Sequence, residues 1–276
     1  MLKVAFQGEI GAYSEEAIYA YFSSPVQAVS CKTLSDVFNS VEKGDADYAV
    51  VPIENSLEGS VNRTYDLFLG SSLMVCGELN LRIRHCLIAL PKTKLSDIKT
   101  VYSHPQALAQ CRKFLESLNC EAISTYDTAG SVKMLSEKKL MNAAAIASER
   151  AAKIYNMKIV KRGIEDNSNN YTRFFVLSRN DAAPSGNDKT SIVFSLRHVP
   201  GSLYRALEEF AVRDINLTKI ESRPTRQKPW EYNFYLDFEG HRKERRCKEA
   251  LKGLENKAAF VKVLGSYPKA KNDIKS

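Results

Sequence analysis

The chain has 276 residues, 44% of them hydrophobic and 26% charged, which is the composition of an ordinary soluble globular protein of two or three lobes. No apolar run approaches the roughly 20 residues that cross a bilayer, and the N-terminus enters a strand without a signal-type segment, so we expect a cytoplasmic protein without membrane contact. The formal charge of +8 is dispersed and favours a small anionic substrate over nucleic acid, since even the basic stretch at 241–252 mixes both signs.

Cysteine usage points to the same compartment. The six cysteines are scattered without a CxxC pair, as buried free thiols are in reducing compartments. We therefore expect neither a zinc site nor any other metal site.

The first elements alternate between strand and helix. Residues 2–7 predict a strand, followed by a turn through Gly8 and Gly11 and a helix that Ser14 opens. The GxxG spacing differs from the GxGxxG fingerprint of dinucleotide-binding proteins, so a nucleotide cofactor is not expected. A carboxylate could still bind at the N-terminus of this helix.

Polar residues collect where the next predicted strand ends. Residues 48–53 form an apolar strand that leads into Glu54, Asn55 and Ser56, between predicted helices at 35–43 and 61–69. Ligands of open α/β sheets bind beyond the carboxyl ends of strands, which makes this a candidate site. Asn and Ser are equally common as plain turn and cap residues, so position alone leaves both interpretations open.

A second region of alternating elements begins after strands predicted within residues 73–90. Residues 100–108 join a strand to a helix with Pro105 in its first turn, so Ser103, His104 and Gln106 crowd a helix N-terminus. Taken alone, this segment favours a structural His and a capping Ser103 over a ligand site. The elements that follow predict a second parallel-sheet lobe: a strand at 120–126, a helix from Thr128, a strand at 143–147 and a helix at 149–155 capped by Ser148.

The stretch 169–177 predicts, from Tyr171 on, a buried strand that starts with polar groups. Thr172 and Arg173 place a hydroxyl and a fixed cation near its beginning. A buried Arg needs an anion against its planar fork, which is either an internal partner such as Glu165 or Asp166, or an anionic ligand. The strand alone does not decide between them.

The tail has the order of a ferredoxin-like unit. It follows a linker-like stretch at 181–189 and begins with an alternating strand at 192–196 and an amphipathic helix at 203–211. Strands near 217–222 and 232–238, a helix near 244–254 and a strand at 260–264 complete a βαββαβ order.

Four motifs, met in chain order, resemble those of the prephenate dehydratase family. They are Gln7-Gly8, Pro52-Ile-Glu-Asn-Ser-Leu-Glu-Gly, Ser103-His-Pro-Gln-Ala-Leu and Asn170-Tyr-Thr-Arg-Phe. The tail resembles the regulatory ACT domain of that family. Its second motif, Ile220-Glu-Ser-Arg-Pro, matches fully, and Pro200-Gly-Ser-Leu-Tyr matches loosely, with Ser202 where the family pattern has Ala.

The resemblance implies an α/β fold of two parts. A catalytic domain over 1–180 would have two lobes similar to those of periplasmic binding proteins, with the second lobe at about 76–160 and the active site in the cleft. A ferredoxin-like ACT domain would occupy 190–268. The implied reaction converts prephenate to phenylpyruvate, water and carbon dioxide in phenylalanine biosynthesis, without a cofactor. Phenylalanine would act as the effector at a subunit interface, in a homodimer or a dimer of dimers.

The resemblance also carries site residues over to this chain. Arg173 would clamp a substrate carboxylate, Thr172 would donate a hydrogen bond to the departing hydroxyl, and Phe174 would form an apolar wall or face the core. Asn55 and Ser56 complete the catalytic set. The substrate-binding residues would be Gln7, Glu54, Ser103, His104, Gln106 and Thr128. The phenylalanine site would comprise Gly201, Ser202, Leu203, Asn216, Leu217, Glu221 and Ser222.

Two alternatives stay open at this stage. Arogenate dehydratase acts on a substrate with an amino group in place of the side-chain keto group, and nothing in the sequence separates the two. A non-catalytic amino-acid-binding protein is the other alternative, against which the lack of an export signal and of a helix-turn-helix region both count.

Overall fold

The structure, a computed structural model, describes residues 1–225 and 230–270, and its strands form three sheets. Helices accompany all three sheets, which confirms the α/β class that the sequence predicts. No helix within the described residues has both the length and the apolar character needed to cross a membrane.

The first sheet has the strand order β2-β1-β3-β11-β5, with a short β4 paired to β3. Its central strands are apolar because both faces are covered, and β1 runs parallel to β2 and β3. The strands are β1 Leu2–Gln7, β2 Val26–Cys31, β3 Tyr48–Asn55, β4 Gly59–Ser60, β5 Met74–Arg82 and β11 Tyr171–Ser178. The associated helices are α1 Tyr13–Tyr21, α2 Leu34–Glu42 and α3 Asn62–Gly70.

The start of α1 differs from the prediction. The helix begins at Tyr13 after the N-cap residue Ala12, which makes no side-chain cap, so Ser14 lies inside the first turn and does not open the helix. The turn before it needs its glycines. Gly8 and Gly11 have φ of +113° and +97°, and a Cβ on Gly11 would lie 2.9 Å from the Cα of Ala151.

The second sheet has the order β10-β6-β9-β7-β8. The strands β7, β8 and β9 are parallel, but β6 and β10 run antiparallel, so the predicted all-parallel lobe is wrong at the strands by which the chain enters and leaves it. The strands are β6 Cys86–Ala89, β7 Thr100–Ser103, β8 Glu121–Ser124, β9 Ala143–Ala147 and β10 Lys158–Arg162. The helices are α4 Pro105–Gln110, α5 Arg112–Leu118, α6 Thr128–Lys138 and α7 Glu149–Ile154, with a 3-10 turn at Leu95–Asp97.

The third sheet is fully antiparallel, in the order β13-β14-β12-β15. Its elements follow the predicted βαββαβ order: β12 Asp188–Ser195, α8 Ser202–Ala211, β13 Leu217–Pro224, β14 Tyr232–Glu239, α9 Arg245–Lys257 and β15 Phe260–Pro268. One core unites both helices with the sheet, through residues such as Phe194, Phe210 and Leu254. Residues 226–229 of the predicted 190–268 domain lie outside the described residues.

The chain divides into two compact units whose borders differ from the predicted domains. The first unit contains residues 1–65 and 79–174, and the second contains 66–78 and 175–276. Aromatic packing explains why 66–78 groups with the tail, since Phe175 contacts both Phe68 and Tyr267, with ring centroids 6.1 and 5.4 Å apart. The domain borders at 180 and 190 remain predictions.

Candidate active site

A cavity of about 320 Å³ lies in the first compact unit, within the size range of small-molecule sites. Seven of the predicted site residues line it: Gln7, Asn55, His104, Gln106, Thr128, Thr172 and Phe174. They come from strand ends and helix starts that the sequence places far apart. Pro52, Val61, Ile83 and Ala107 supply apolar wall.

The fold brings these groups together at the ends of its elements. Gln7 and Asn55 are the last residues of the parallel neighbours β1 and β3, and Thr128 starts α6. Ser14, in the first turn of α1, also lines the cavity. Two helix N-termini, each with a hydroxyl side chain, therefore border the site, and such termini attract anions.

Thr172 and Asn55 form the polar centre of the cavity. The Asn55 side chain is buried, and its Nδ2 donates to the Thr172 Oγ1 at 3.0 Å. Its Oδ1 accepts from the backbone N–H groups of Leu57 and Glu58 at 2.9 and 3.1 Å. Thr172 and Phe174 are two apart on β11, and the period of a strand puts both on the cavity side.

Arg173 does not line this cavity, because the same period turns it to the opposite face of β11. Its side chain is 10% exposed, and its Nη1 lies 3.0 Å from the Oε1 of Glu54. The structure thus shows the internal ion pair that the sequence left open. The partner is Glu54 in place of Glu165 or Asp166, and Glu54 is likewise absent from the cavity lining.

Two serines of the predicted site have other contacts. Ser56 joins the end of β3 to β11, since its hydroxyl donates to the Asn169 carbonyl at 2.8 Å and accepts from the Tyr171 N–H at 2.9 Å. The Ser103 side chain is fully buried and donates to the Ile146 carbonyl at 2.6 Å. The capping alternative for Ser103 is wrong as well, because His104 is the N-cap of α4 and its Nδ1 accepts from the Gln106 N–H at 3.3 Å.

The sequence analysis missed three residues that line the cavity and bond to one another: Tyr13, His85 and Gln110. His85 is 2% exposed, and burial lowers the pKa of its ring below the ordinary value, which favours the neutral ring. Burial also raises the pKa of the Tyr13 hydroxyl well above its usual value. No local sequence pattern marks a His between two strands as a site residue, which is why His85 was missed. Gln110 was missed because it is simply the last residue of a short helix.

The charge of the site is unusual for an anion-binding cavity. Among the described residues that line it there is no Lys, Arg, Asp or Glu. Recognition of an anion here would depend on neutral donors and helix N-termini.

The predicted effector residues do not gather in one place within a single chain. A smaller cavity of about 140 Å³ is lined by Ser202, Leu203 and Trp230, beside the N-cap Gly201 of α8 with φ of +76°. The remaining predicted residues do not line it: Asn216, Leu217, Glu221 and Ser222. Leu217 packs on the core, and Glu221 pairs with Lys219 at 3.3 Å.

Comparison with known proteins gives consistent results. The family model described as prephenate dehydratase matches residues 4–182. Arogenate dehydratase/prephenate dehydratase 2 of Arabidopsis thaliana is 46% identical, covering 97% of this chain and 73% of that protein. The bifunctional chorismate mutase/prephenate dehydratase of Aquifex aeolicus is 44% identical, covering 98% of this chain and 74% of that protein.

Solved structures agree over nearly the whole chain. Prephenate dehydratase of Arthrobacter aurescens in complex with L-Phe has a TM-score of 0.89 and 34% identity, covering 97% of this chain and 90% of that one. GqqA, described as a novel type of quorum quenching acylase, has a TM-score of 0.90 and 32% identity, covering 99% of this chain and all of that one.

Proposed function

Because the chain belongs to the prephenate dehydratase family, we propose that its cavity around Thr172 and Asn55 converts prephenate to phenylpyruvate, water and carbon dioxide. The observation that carries this proposal is the buried Asn55 amide on the Thr172 hydroxyl, at the wall of a cavity of substrate size.

The reaction breaks two bonds and takes up one proton. The bond between the ring carbon and the departing carboxylate breaks, and its electron pair enters the ring. On the opposite side of the ring, the bond between the ring carbon and the hydroxyl oxygen breaks. That oxygen leaves as water after gaining a proton from the medium. The catalyst needs to hold the remaining carboxylate, stabilise the departing oxygen and limit water.

Thr172 is suited to the departing oxygen. Its Oγ1 accepts a hydrogen bond from Asn55, which leaves its own O–H to donate. A threonine hydroxyl is a weak acid, so its role is a hydrogen bond that strengthens as charge develops on the leaving oxygen. Phe174 and Ile83 form an apolar wall beside it, which suits an aromatising ring.

The substrate carboxylates meet neutral donors in this proposal. Ser14 and Thr128 lie in the first turns of α1 and α6, and Gln7 is in the same lining. Arg173 then serves the site indirectly, by fixing Glu54 next to Asn55.

We propose prephenate as the preferred substrate over arogenate. The ammonium group of arogenate carries a full charge, and the described lining has no carboxylate to meet it. A keto oxygen needs only one N–H or O–H donor. Purified protein should therefore form phenylpyruvate from prephenate with a higher kcat/KM than it forms phenylalanine from arogenate, and the reverse order would overturn this preference.

The test of the site is Thr172→Val, which keeps the shape of the side chain and removes the hydroxyl. We expect kcat to fall by on the order of 10² or more with little change in KM. The matched control is Thr190→Val, which removes a buried hydroxyl that donates to the Gly240 carbonyl at 2.7 Å in the third sheet. Wild-type kcat in Thr172→Val would contradict the assignment.

For the tail, we propose an ACT domain that binds phenylalanine between two copies of the chain. The βαββαβ order and the motif at 220–224 support this assignment. β13 is an edge strand with alternate exposed residues, and Ile220 on it is 46% exposed, so pairing of two tails would cover it. Such pairing would also bring the separated effector residues of two copies together.

A contact within the second compact unit offers a route for inhibition. The Arg223 Nη2 lies 3.1 Å from the Oδ1 of Asp66 on α3, and the Lys262 Nζ donates to the Phe68 carbonyl at 2.7 Å. The helix α3 begins shortly after Asn55 along the chain. A shift of the 220–224 motif on phenylalanine binding would therefore act on α3 through Asp66.

Asp66→Asn tests this route without removing the tail. Trp230 is the sole tryptophan of the sequence and lines the small cavity, so its fluorescence can report phenylalanine binding. We expect phenylalanine to bind as in the wild type but to inhibit turnover about 5-fold or more less strongly, as loss of a typical coupling energy requires. Glu249→Gln, which breaks an exposed ion pair with Arg245, is the control. Unchanged inhibition in Asp66→Asn would refute the route.

A further inference from the structure

A continuous chain of hydrogen bonds leads from Thr172 into the interior of the first compact unit. Asn55 Nδ2 donates to Thr172 Oγ1 at 3.0 Å and to Asn170 Oδ1 at 2.7 Å. Asn170 Nδ2 in turn donates to Gln110 Oε1 at 2.8 Å. Asn170 is fully buried, so a side-chain amide with no exposed surface connects two residues of the cavity lining.

The chain continues through an imidazole to a phenol. His85 Nε2 lies 2.9 Å from the same Gln110 Oε1, and His85 Nδ1 lies 2.9 Å from the Tyr13 hydroxyl. The Tyr13 and His85 rings also pack edge to face, with centroids 5.6 Å apart. Every side chain from Tyr13 to Thr172 thus has a bonded neighbour on the path.

The backbone fixes the direction of the first amide. Asn55 Oδ1 accepts from the N–H groups of Leu57 and Glu58, so this oxygen cannot exchange places with Nδ2 without losing both bonds. Asn55 therefore presents its two N–H groups to three acceptors, Asn170 Oδ1, the Tyr171 carbonyl and Thr172 Oγ1, at 2.7, 3.1 and 3.0 Å. Asn170 must accept at Oδ1, which leaves its Nδ2 to donate to Gln110.

The same logic determines the far end. Gln110 Oε1 is an acceptor for Asn170, so His85 can bond to it only as a donor, and Nε2 of His85 carries the proton. In neutral His85 the other nitrogen, Nδ1, is an acceptor, and it shares the single proton of the Tyr13 hydroxyl with the Arg84 carbonyl, at 2.9 and 2.8 Å from that hydroxyl oxygen. The donors consequently converge on Gln110 Oε1, from Asn55 through Asn170 on one side and from His85 on the other.

The Asn55 end of this chain of hydrogen bonds decides where the Thr172 proton points. Because Thr172 Oγ1 receives an N–H from Asn55, the hydroxyl hydrogen cannot lie along that bond and is directed elsewhere. We infer that Asn170, Gln110 and His85 are positioning residues that hold the Asn55 amide so that the Thr172 O–H is aimed into the cavity at the departing oxygen. This inference rests on the proposed role of Thr172 as the donor.

The chain orients the hydroxyl and does not conduct a proton. Three of its links, Gln110, Asn170 and Asn55, are primary amides, which hold their protons at neutral pH, so a proton cannot pass from His85 to Thr172 along it. Its contribution is pre-organisation: the donor is in place before charge develops, which is the property that makes such groups effective. Loss of a link should therefore lower kcat and leave substrate binding nearly unchanged.

Isosteric substitutions test the polarity directly. Gln110→Met removes the acceptor that joins Asn170 to His85, and Asn170→Asp places a carboxylate oxygen against the Gln110 oxygen. For both we expect kcat to fall by on the order of 10-fold or more, with KM within about 3-fold of the wild type. Gln110→Glu keeps an acceptor atom at the same place but brings a carboxylate to the cavity wall, so we expect a smaller fall in kcat than in Gln110→Met together with a raised KM for the dianionic substrate. The control Thr190→Val should retain kcat whatever stability it loses.

The decisive measurement combines two changes. If the chain acts through the Thr172 hydroxyl, Gln110→Met should lower kcat in the wild type but cause no further loss in Thr172→Val. Equal losses in both backgrounds would overturn the inference, as would wild-type kcat in Gln110→Met while Thr172→Val is slow. Wild-type kcat in Thr172→Val would instead refute the proposed role of Thr172 itself. Should Asn170→Asp fail to fold, the two Gln110 variants carry the test alone.

Discussion

The ion pair between Arg173 and Glu54 gives the sharpest test of the site as described, because the sequence favoured a substrate clamp at this position equally well. The Arg173 and Glu54 side chains are 10% and 30% exposed, with their charged atoms 3.0 Å apart. Arg173→Met would leave the Glu54 carboxylate partly buried without this cation.

The expected cost follows from that burial. Removing one partner of a fully buried pair costs about 3–5 kcal/mol, and the exposed third of Glu54 lets water offset part of this, so we expect about 2–3 kcal/mol. For a chain of this size that corresponds to a decrease in Tm of about 4–12 °C. Adding Glu54→Gln removes the negative charge that Arg173 neutralised and should restore part of the lost stability.

The assay compares unfolding with turnover. Thermal melts and urea denaturation give the stability of each variant, and prephenate turnover gives kcat and KM per folded molecule. We expect the single variant Arg173→Met to lose stability while KM changes little. An unchanged Tm together with a KM raised by about 10-fold or more would show that Arg173 binds the substrate and is not mainly an ion-pair partner of Glu54.

Two further predictions concern stability. Burial lowers the pKa of His85 below its ordinary 6.5, so the unfolded chain binds this proton before the folded chain does as the pH falls. The free energy of unfolding should therefore decrease below about pH 6.5. Urea denaturation of His85→Gln should show a smaller decrease over the same pH range than the wild type. Gly11→Ala should cost about 3 kcal/mol, from its φ of +97° and the 2.9 Å approach to Ala151, whereas Gly163→Ala, with φ of +61° and open space, should cost about 1 kcal/mol; equal losses would refute the packing argument.

Much of the fold follows from local patterns, and the same patterns bear on how two predicted site residues are placed. The predicted strand at 169–177 is present as β11, Tyr171–Ser178. Neighbouring residues of a strand point to opposite faces, so Thr172 and Arg173 could not both line one cavity. The contact of Arg173 with the substrate stays a prediction, and the strand period indicates that Thr172 and Arg173 face opposite sides of β11.

Other parts of the site depend on contacts that no local pattern encodes. Asn170 bonds to Gln110, 60 positions away along the chain, and Asn55 bonds to Asn170 across 115 positions. Amides of this kind are common at turns and helix ends for local reasons. Their role becomes visible only when the ends of β3, β11 and α4 meet around His85.

The absence of a cation among the described cavity residues bears on the chemistry itself. A Lys or Arg paired with the departing carboxylate would stabilise its negative charge in the bound substrate. The carboxylate loses that charge when it becomes neutral carbon dioxide, so the stabilisation is lost in the transition state. Such pairing would lower the free energy of the bound substrate and so raise the activation free energy of decarboxylation. Neutral donors and helix N-termini can orient both carboxylates while giving the departing one little stabilisation to lose. The displacement of Arg173 to the other face of β11 is therefore consistent with efficient decarboxylation, since the enzyme needs an oriented dianion more than a tightly neutralised one.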